Sequence, residues 1–142
     1  MDNNKILAIR IRSISEIKFS MTSGLIGSED RGNELQLGFK NHIEPDFKKN
    51  LVQFDFGVMY SLGNETILEC IYAFEFEIPN LELFLGINAE GKLIDNGVIP
   101  HLISAAIGTM RGILVVKTAG TDLSKYPLPI MDPISICKNL AG

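Results

Sequence analysis

Two stretches of strict alternation constrain this chain most. In residues 51–62, Val52, Phe54, Phe56, Val58 and Tyr60 take every second position, and in 66–78 Leu68, Cys70, Tyr72, Phe74, Phe76 and Ile78 do the same. Successive side chains of a strand point to opposite faces, so a period of two puts each set on one face. Gly63-Asn64 between them is hairpin turn chemistry, and so short a link makes the strands antiparallel neighbours. Ile67, Glu69, Ile71, Ala73, Glu75 and Glu77 fall on the other face of the second strand. A sheet with one apolar face needs a cover for that face.

Residues 98–116 supply it. Ile99, Leu102, Ile103, Ala106, Ile107, Met110, Ile113 and Leu114 recur at the three-and-four spacing of one helical stripe. Asp95 and Asn96 precede it and can accept hydrogen bonds from its first free N–H groups. Pro100 falls in the first turn, where a missing N–H costs little, and Lys117 meets the partial negative charge at the end. A second helical face holds Ser104, Gly108 and Gly112, four apart and flanked by Ala105. Two interior glycines cost about 1 kcal/mol each relative to alanine. Close approach of another backbone would offset that cost, and the chain has no second long helix to provide it. Ser104, Ala105, Gly108 and Gly112 are therefore the expected contact with another copy; the alternative is a solvent-facing side that tolerates glycine.

In residues 6–19, Ile9 and Ile11 alternate with Arg10 and Arg12, and then Ile14, Ile17 and Phe19 follow out of phase. This predicts a strand with a bulge near 13–15. Residues 21–33, with Gly24, Gly27 and Gly32, read as a loop or crossover. Residues 34–39 form a short strand or part of that crossover, and the polar stretch 41–50, with Pro45, interrupts. Residues 81–88 are a short strand or turn, and 118–125 a polar loop. Three prolines hold 126–133 extended, and 134–141 attempts one last turn. Strands first and helix last give an α+β fold: about four antiparallel strands packed against one long helix, with a short Pro-rich C-terminal segment.

At 142 residues the chain is expected to be a single domain spanning 1–142. Thirteen Lys and Arg against 17 Asp and Glu give a net charge of −4, which disfavours a nucleic-acid partner. No apolar run reads as membrane-spanning, since Arg111 interrupts the best candidate, and so no membrane insertion is expected. The opening Met1-Asp2-Asn3-Asn4-Lys5 has no apolar signal region. Cys70 and Cys137 lack paired spacing, which fits a reducing cytoplasm.

Signals for catalysis are sparse. His42 and His101 are the two histidines, and either cysteine with one of them would make a nucleophile pair. Cys70, however, lies on the apolar face of a strand, where a free thiol is ordinarily packing. Glu69, Glu75 and Glu77 share a face; a small enzyme using Glu75 and Glu77 is the alternative to a simple solvated face. No phosphate-binding loop or metal-ligand spacing stands out, so no catalytic residue, cofactor or metal is expected. The aromatics are more distinctive. About half of them must form core, because the helix covers one sheet face. The remainder would line a groove for extended apolar peptide, with the proline segment as its wall. Phe47, Phe54, Phe56, Phe74, Phe76, Leu128 and Ile130 are the candidates.

The order of parts resembles the SecB family of cytosolic export chaperones. The resemblance rests on a first strand ending Ile17-Lys18-Phe19, a hairpin turn at Gly63-Asn64-Glu65-Thr66, and a following strand to Phe76-Glu77-Ile78. It continues in a helix begun by Ile99-Pro100-His101 and the segment Leu128-Pro129-Ile130-Met131-Asp132-Pro133-Ile134. It implies a four-stranded sheet on a long helix, assembled as a dimer or tetramer through those helices. It implies a chaperone or holdase that binds unfolded polypeptide in apolar grooves, without nucleotide or metal, and passes it to the Sec translocase motor. Glu69 and Glu16 would then contact the motor's basic tail. A dedicated-partner protein on the same scaffold, such as an antitoxin-type chaperone, is the other reading of the resemblance. Ser20 stands where the family carries an acid near the end of the first strand, and the family's long second helix has little counterpart.

Overall fold

The structure, a computed structural model, describes residues 6–22 and 34–141, with side chains through residue 137. The glycine-bearing stretch 23–33 and the first five residues lie outside the described residues. Four long strands, β1 (Arg10–Met21), β2 (Leu35–Asp46), β3 (Leu51–Leu62) and β4 (Glu65–Glu77), form one antiparallel sheet in the order β1-β4-β3-β2. β1 and β2, consecutive in sequence, are its opposite edges. A two-stranded ribbon, β5 (Leu85–Ile87) with β6 (Leu93–Asp95), leads into helix α1 (Ile99–Lys117). A 3-10 turn at Asp122–Lys125 and the proline segment then lead to helix α2 (Pro133–Ala141). The fold is α+β, as the order of strands and helix predicts.

The two alternating strands pair through the hairpin, with Phe54 opposite Phe74 and Val52 opposite Phe76. Their aromatics pack on one another: Phe74 stacks on Phe76 at 5.9 Å, and Phe54 meets Phe56 at 5.6 Å and Phe76 at 6.4 Å. From α1, Leu102, Ile103, Ala106, Ile107, Met110 and Leu114 close over them.

β1 contains two slips where one bulge is expected, one between Ile11 and Ser13 and one between Glu16 and Lys18. Each inserts a residue, Arg12 and then Ile17, so Ile11, Ile14, Glu16 and Phe19 all pair with apolar-face residues of β4: Phe76, Phe74, Tyr72 and Cys70. The uneven spacing of the sequence is the signature of this double correction.

β2 corrects a second expectation. It runs unbroken through Pro45, which pairs with Val52. An edge strand needs its N–H groups on one side only, so proline is tolerated there. α1 is capped by Asp95 alone: its Oδ1 accepts from Gly97 N at 2.9 Å, Val98 N at 2.8 Å and Ile99 N at 3.0 Å. Asn96 instead donates its backbone N–H to Phe84 O. By length and composition α1 also qualifies as a membrane-spanning helix, contrary to the sequence expectation; here one side of it packs on the sheet. The expected last turn is a nine-residue helix, started by Asp132-Pro133. The Asp132 carboxylate accepts from Ile134 N and from Ser135 Oγ, both at 3.1 Å.

Candidate functional site

Between the start of β2 and α2 lies an open groove of about 550 Å³, lined by Leu37, Gly38, Phe39, Met131, Asp132, Ser135 and Ile136. A second cavity, about 230 Å³, is lined by Tyr60, Leu114, Val115, Thr118, Ala119, Leu123, Ser124, Tyr126 and Pro127. Leu37 and Tyr60 are partners on adjacent strands, so the two hollows share a floor. The extended proline segment separates them: Pro127 borders one and Met131 the other. Leu128, between them, is 2% exposed, and Ile130 is 93% exposed. The segment is held through its carbonyls. Arg111 Nε donates to Leu128 O and an Arg111 terminal nitrogen to Pro129 O, both at 2.8 Å, and Tyr60 Oη donates to Tyr126 O at 2.8 Å. Burial pushes the Tyr60 hydroxyl above the usual phenol range, which keeps it a donor.

The expected aromatic groove is corrected. Phe54, Phe56, Phe74 and Phe76 are fully buried and form the core, because α1 lies directly over the strands that carry them. Phe47 sits half-buried in the β2–β3 turn, about 27 Å along the strand from Phe39 at ~3.4 Å per residue. Of the expected lining residues, Leu128 lies between the cavities and Ile130 stands beside them in solvent. Leu37, Phe39, Met131 and Ile136 were not anticipated. The alternation Leu35, Leu37, Phe39 and the cap signal Asp132-Pro133 mark them in the sequence.

Both acids expected to meet a partner are engaged within the chain. Glu69 accepts from Lys18 and Lys40, each at 2.6 Å, with its side chain only 13% exposed. Hydrogen bonds from Lys18 and then Lys40 hold its carboxyl below the usual range. Lys40 reaches it across Gly57, where a Cβ would come within 3.0 Å of the lysine stem. Glu16 accepts from Lys117 at 2.6 Å and from Tyr72 Oη at 2.9 Å, and these bonds, Lys117 first, lower its pKa. Lys117 also lies 4.7 Å over the Phe19 ring. A basic partner would have to compete with these lysines.

On the small face of α1, Ser104, Gly108 and Gly112 are exposed and Ala105 is half-buried. A Cβ at Gly108 or Gly112 would meet nothing within 4 Å. No described part of the chain packs on these glycines.

Glu75 and Glu77 face Arg12 at 3.9 Å and Arg10 at 3.8 Å. Burial raises the Cys70 thiol to about 11, which makes it a poor nucleophile. His42 lies 3.6 Å from Glu44, and His101 is exposed in the first turn of α1. Among the described residues no three His, Cys, Asp or Glu side chains group as a metal site.

No family model and no curated protein matches the chain. A solved structure described as a protein of unknown function from Streptococcus agalactiae is similar at a TM-score of 0.43 and 7% identity, covering 89% of this chain and 98% of that one.

Proposed function

We propose that this protein is a binding module, a SecB-like chaperone or holdase that takes unfolded or extended apolar polypeptide. The observation that carries the reading is the groove between β2 and α2. It has an apolar floor of Leu37 and Phe39, an apolar wall of Met131 and Ile136, and Ile130 and Ile134 exposed beside it. Such a surface suits an extended chain bound through side-chain pockets and backbone polar groups. Self-assembly through Ser104, Ala105, Gly108 and Gly112 belongs to the same proposal, as does delivery to a translocase motor. The enzyme reading has less behind it, since Glu75 and Glu77 are paired with arginines and Cys70 is held as a thiol.

The test uses two unrelated unfolded proteins diluted from denaturant, with light scattering followed over time. A general holdase suppresses the aggregation of both at near-stoichiometric amounts, and Phe39→Asp, checked for an intact thermal transition because Phe39 stacks on the core ring of Phe56 at 5.7 Å, removes the effect. Suppression of neither client overturns the holdase reading. Activity on only one favours a dedicated partner.

A further inference from the structure

The proline segment runs between the two cavities and has the character of what such a groove would bind. Pro127, Pro129 and Pro133 keep it extended. It inserts a single apolar side chain, Leu128, while Ile130 two residues on stands in solvent. Its polar fixings run mostly through main-chain carbonyls: Arg111 holds two successive ones, and Tyr60 a third. Donors that read carbonyls read any extended chain, whatever its sequence.

We propose that residues 127–130 are an internal occupant of the polypeptide groove, a strap that an extended apolar chain displaces. On displacement, Leu128 leaves its buried place in the core cluster, the two cavities become one channel, and Arg111 transfers its two donors to carbonyls of the incoming chain. The strap thus sets a threshold: a segment must offer better apolar contact than one leucine to enter. This inference rests on the polypeptide-binding reading above.

The experiment uses reduced, carboxymethylated ribonuclease A, a permanently unfolded chain without tryptophan. The protein itself has no tryptophan, so Ile130→Trp places a single reporter on the strap at an exposed position. Binding is expected to lower the anisotropy of the introduced indole, as the strap is released. Leu128→Ala, checked for an intact thermal transition, is expected to bind at least fivefold more tightly than wild type. Arg111→Met is expected to free the strap but not tighten binding, because the client loses the same donors. Binding by Ile130→Trp with unchanged anisotropy, or no gain over wild type in a folded Leu128→Ala, overturns the strap and leaves the binding reading standing. Should Leu128→Ala not fold, the anisotropy decides alone. No binding by wild type or any variant overturns both.

Discussion

The exposed glycines of α1 allow the isolated fold and its assembly to be separated by one pair of substitutions. A Cβ at Gly108 or Gly112 meets nothing within 4 Å, and neither glycine needs a positive φ. Within one chain, then, glycine at these positions brings only its helix penalty, about 1 kcal/mol each relative to alanine. Gly108→Ala with Gly112→Ala is expected to stabilise the dissociated protein by about 2 kcal/mol, the sites being one turn apart and without shared side-chain contacts. For a chain of this length that is a rise in Tm of roughly 6–8 °C. In an assembly built on close helix approach the same two methyls crowd the interface, so association weakens as the fold strengthens. Thermal melts over a hundredfold range of concentration, with molar mass by light scattering, separate the two effects, because oligomer stability depends on concentration. A double variant less stable than wild type in the dissociated state would refute the reasoning about an open helix face. A more stable variant with unchanged molar mass would refute the interface.

Three further outcomes follow from the geometry. Phe74→Ala, a fully buried ring stacked on Phe76 within the core, is expected to cost about 3–5 kcal/mol in urea denaturation; a loss under 1 kcal/mol would count against the packing. Asp95→Ala removes the acceptor of three N–H groups and is expected to destabilise by about 1–2 kcal/mol, with Asp95→Asn recovering most of it. Glu69 has a lowered pKa, so its contribution is present above the ordinary carboxylate range and is lost as pH falls through the lowered value. Glu69→Gln is therefore expected to lower stability at pH 7 and to flatten the acid limb of the stability curve; parallel curves for the two proteins would contradict the double lysine contact.

What the sequence made legible was whatever repeats with a period. Residues 51–62 and the helical stripe appear almost to the residue, because their alternation and 3.6-residue spacing follow from burial on one side. Failures occurred where burial is partial. Pro45 reads as a break until β2 is known to be an edge, and nothing local distinguishes an edge strand from a central one. The site suffered most. Six aromatics on two strands are compatible with a groove or a core, and the choice depends on where α1 lies. Phe54, Phe56, Phe74 and Phe76 lie beneath it, so the surface that remains is made by less conspicuous residues such as Leu37 and Met131.

That displacement of the open apolar surface to the margins follows from simple dimensions. Four strands at about 4.8 Å spacing make a sheet roughly 15–19 Å wide, whereas a helix with its side chains is about 10–12 Å across. One long helix therefore covers about two strands, and α1 lies against β3, its apolar stripe sharing one core with the inner faces of β3 and β4. β2 receives the short α2, which bridges only part of it and leaves the groove at Leu37 and Phe39. β1 receives only the end of α1, where Lys117 reaches Glu16, and Ile11 and Ile14 remain 43% exposed on the apolar face. Open apolar surface thus lies at each edge of the sheet and little of it over the centre. A second helix laid over β1, from another copy or by design, should bury Ile11 and Ile14 while leaving the β2 groove unchanged. The two edges can then be tested independently: Phe39→Asp should weaken client binding and Ile14→Lys should leave it unchanged, and an Ile14→Lys variant that also lost client binding would mean that the two borders are coupled through the sheet.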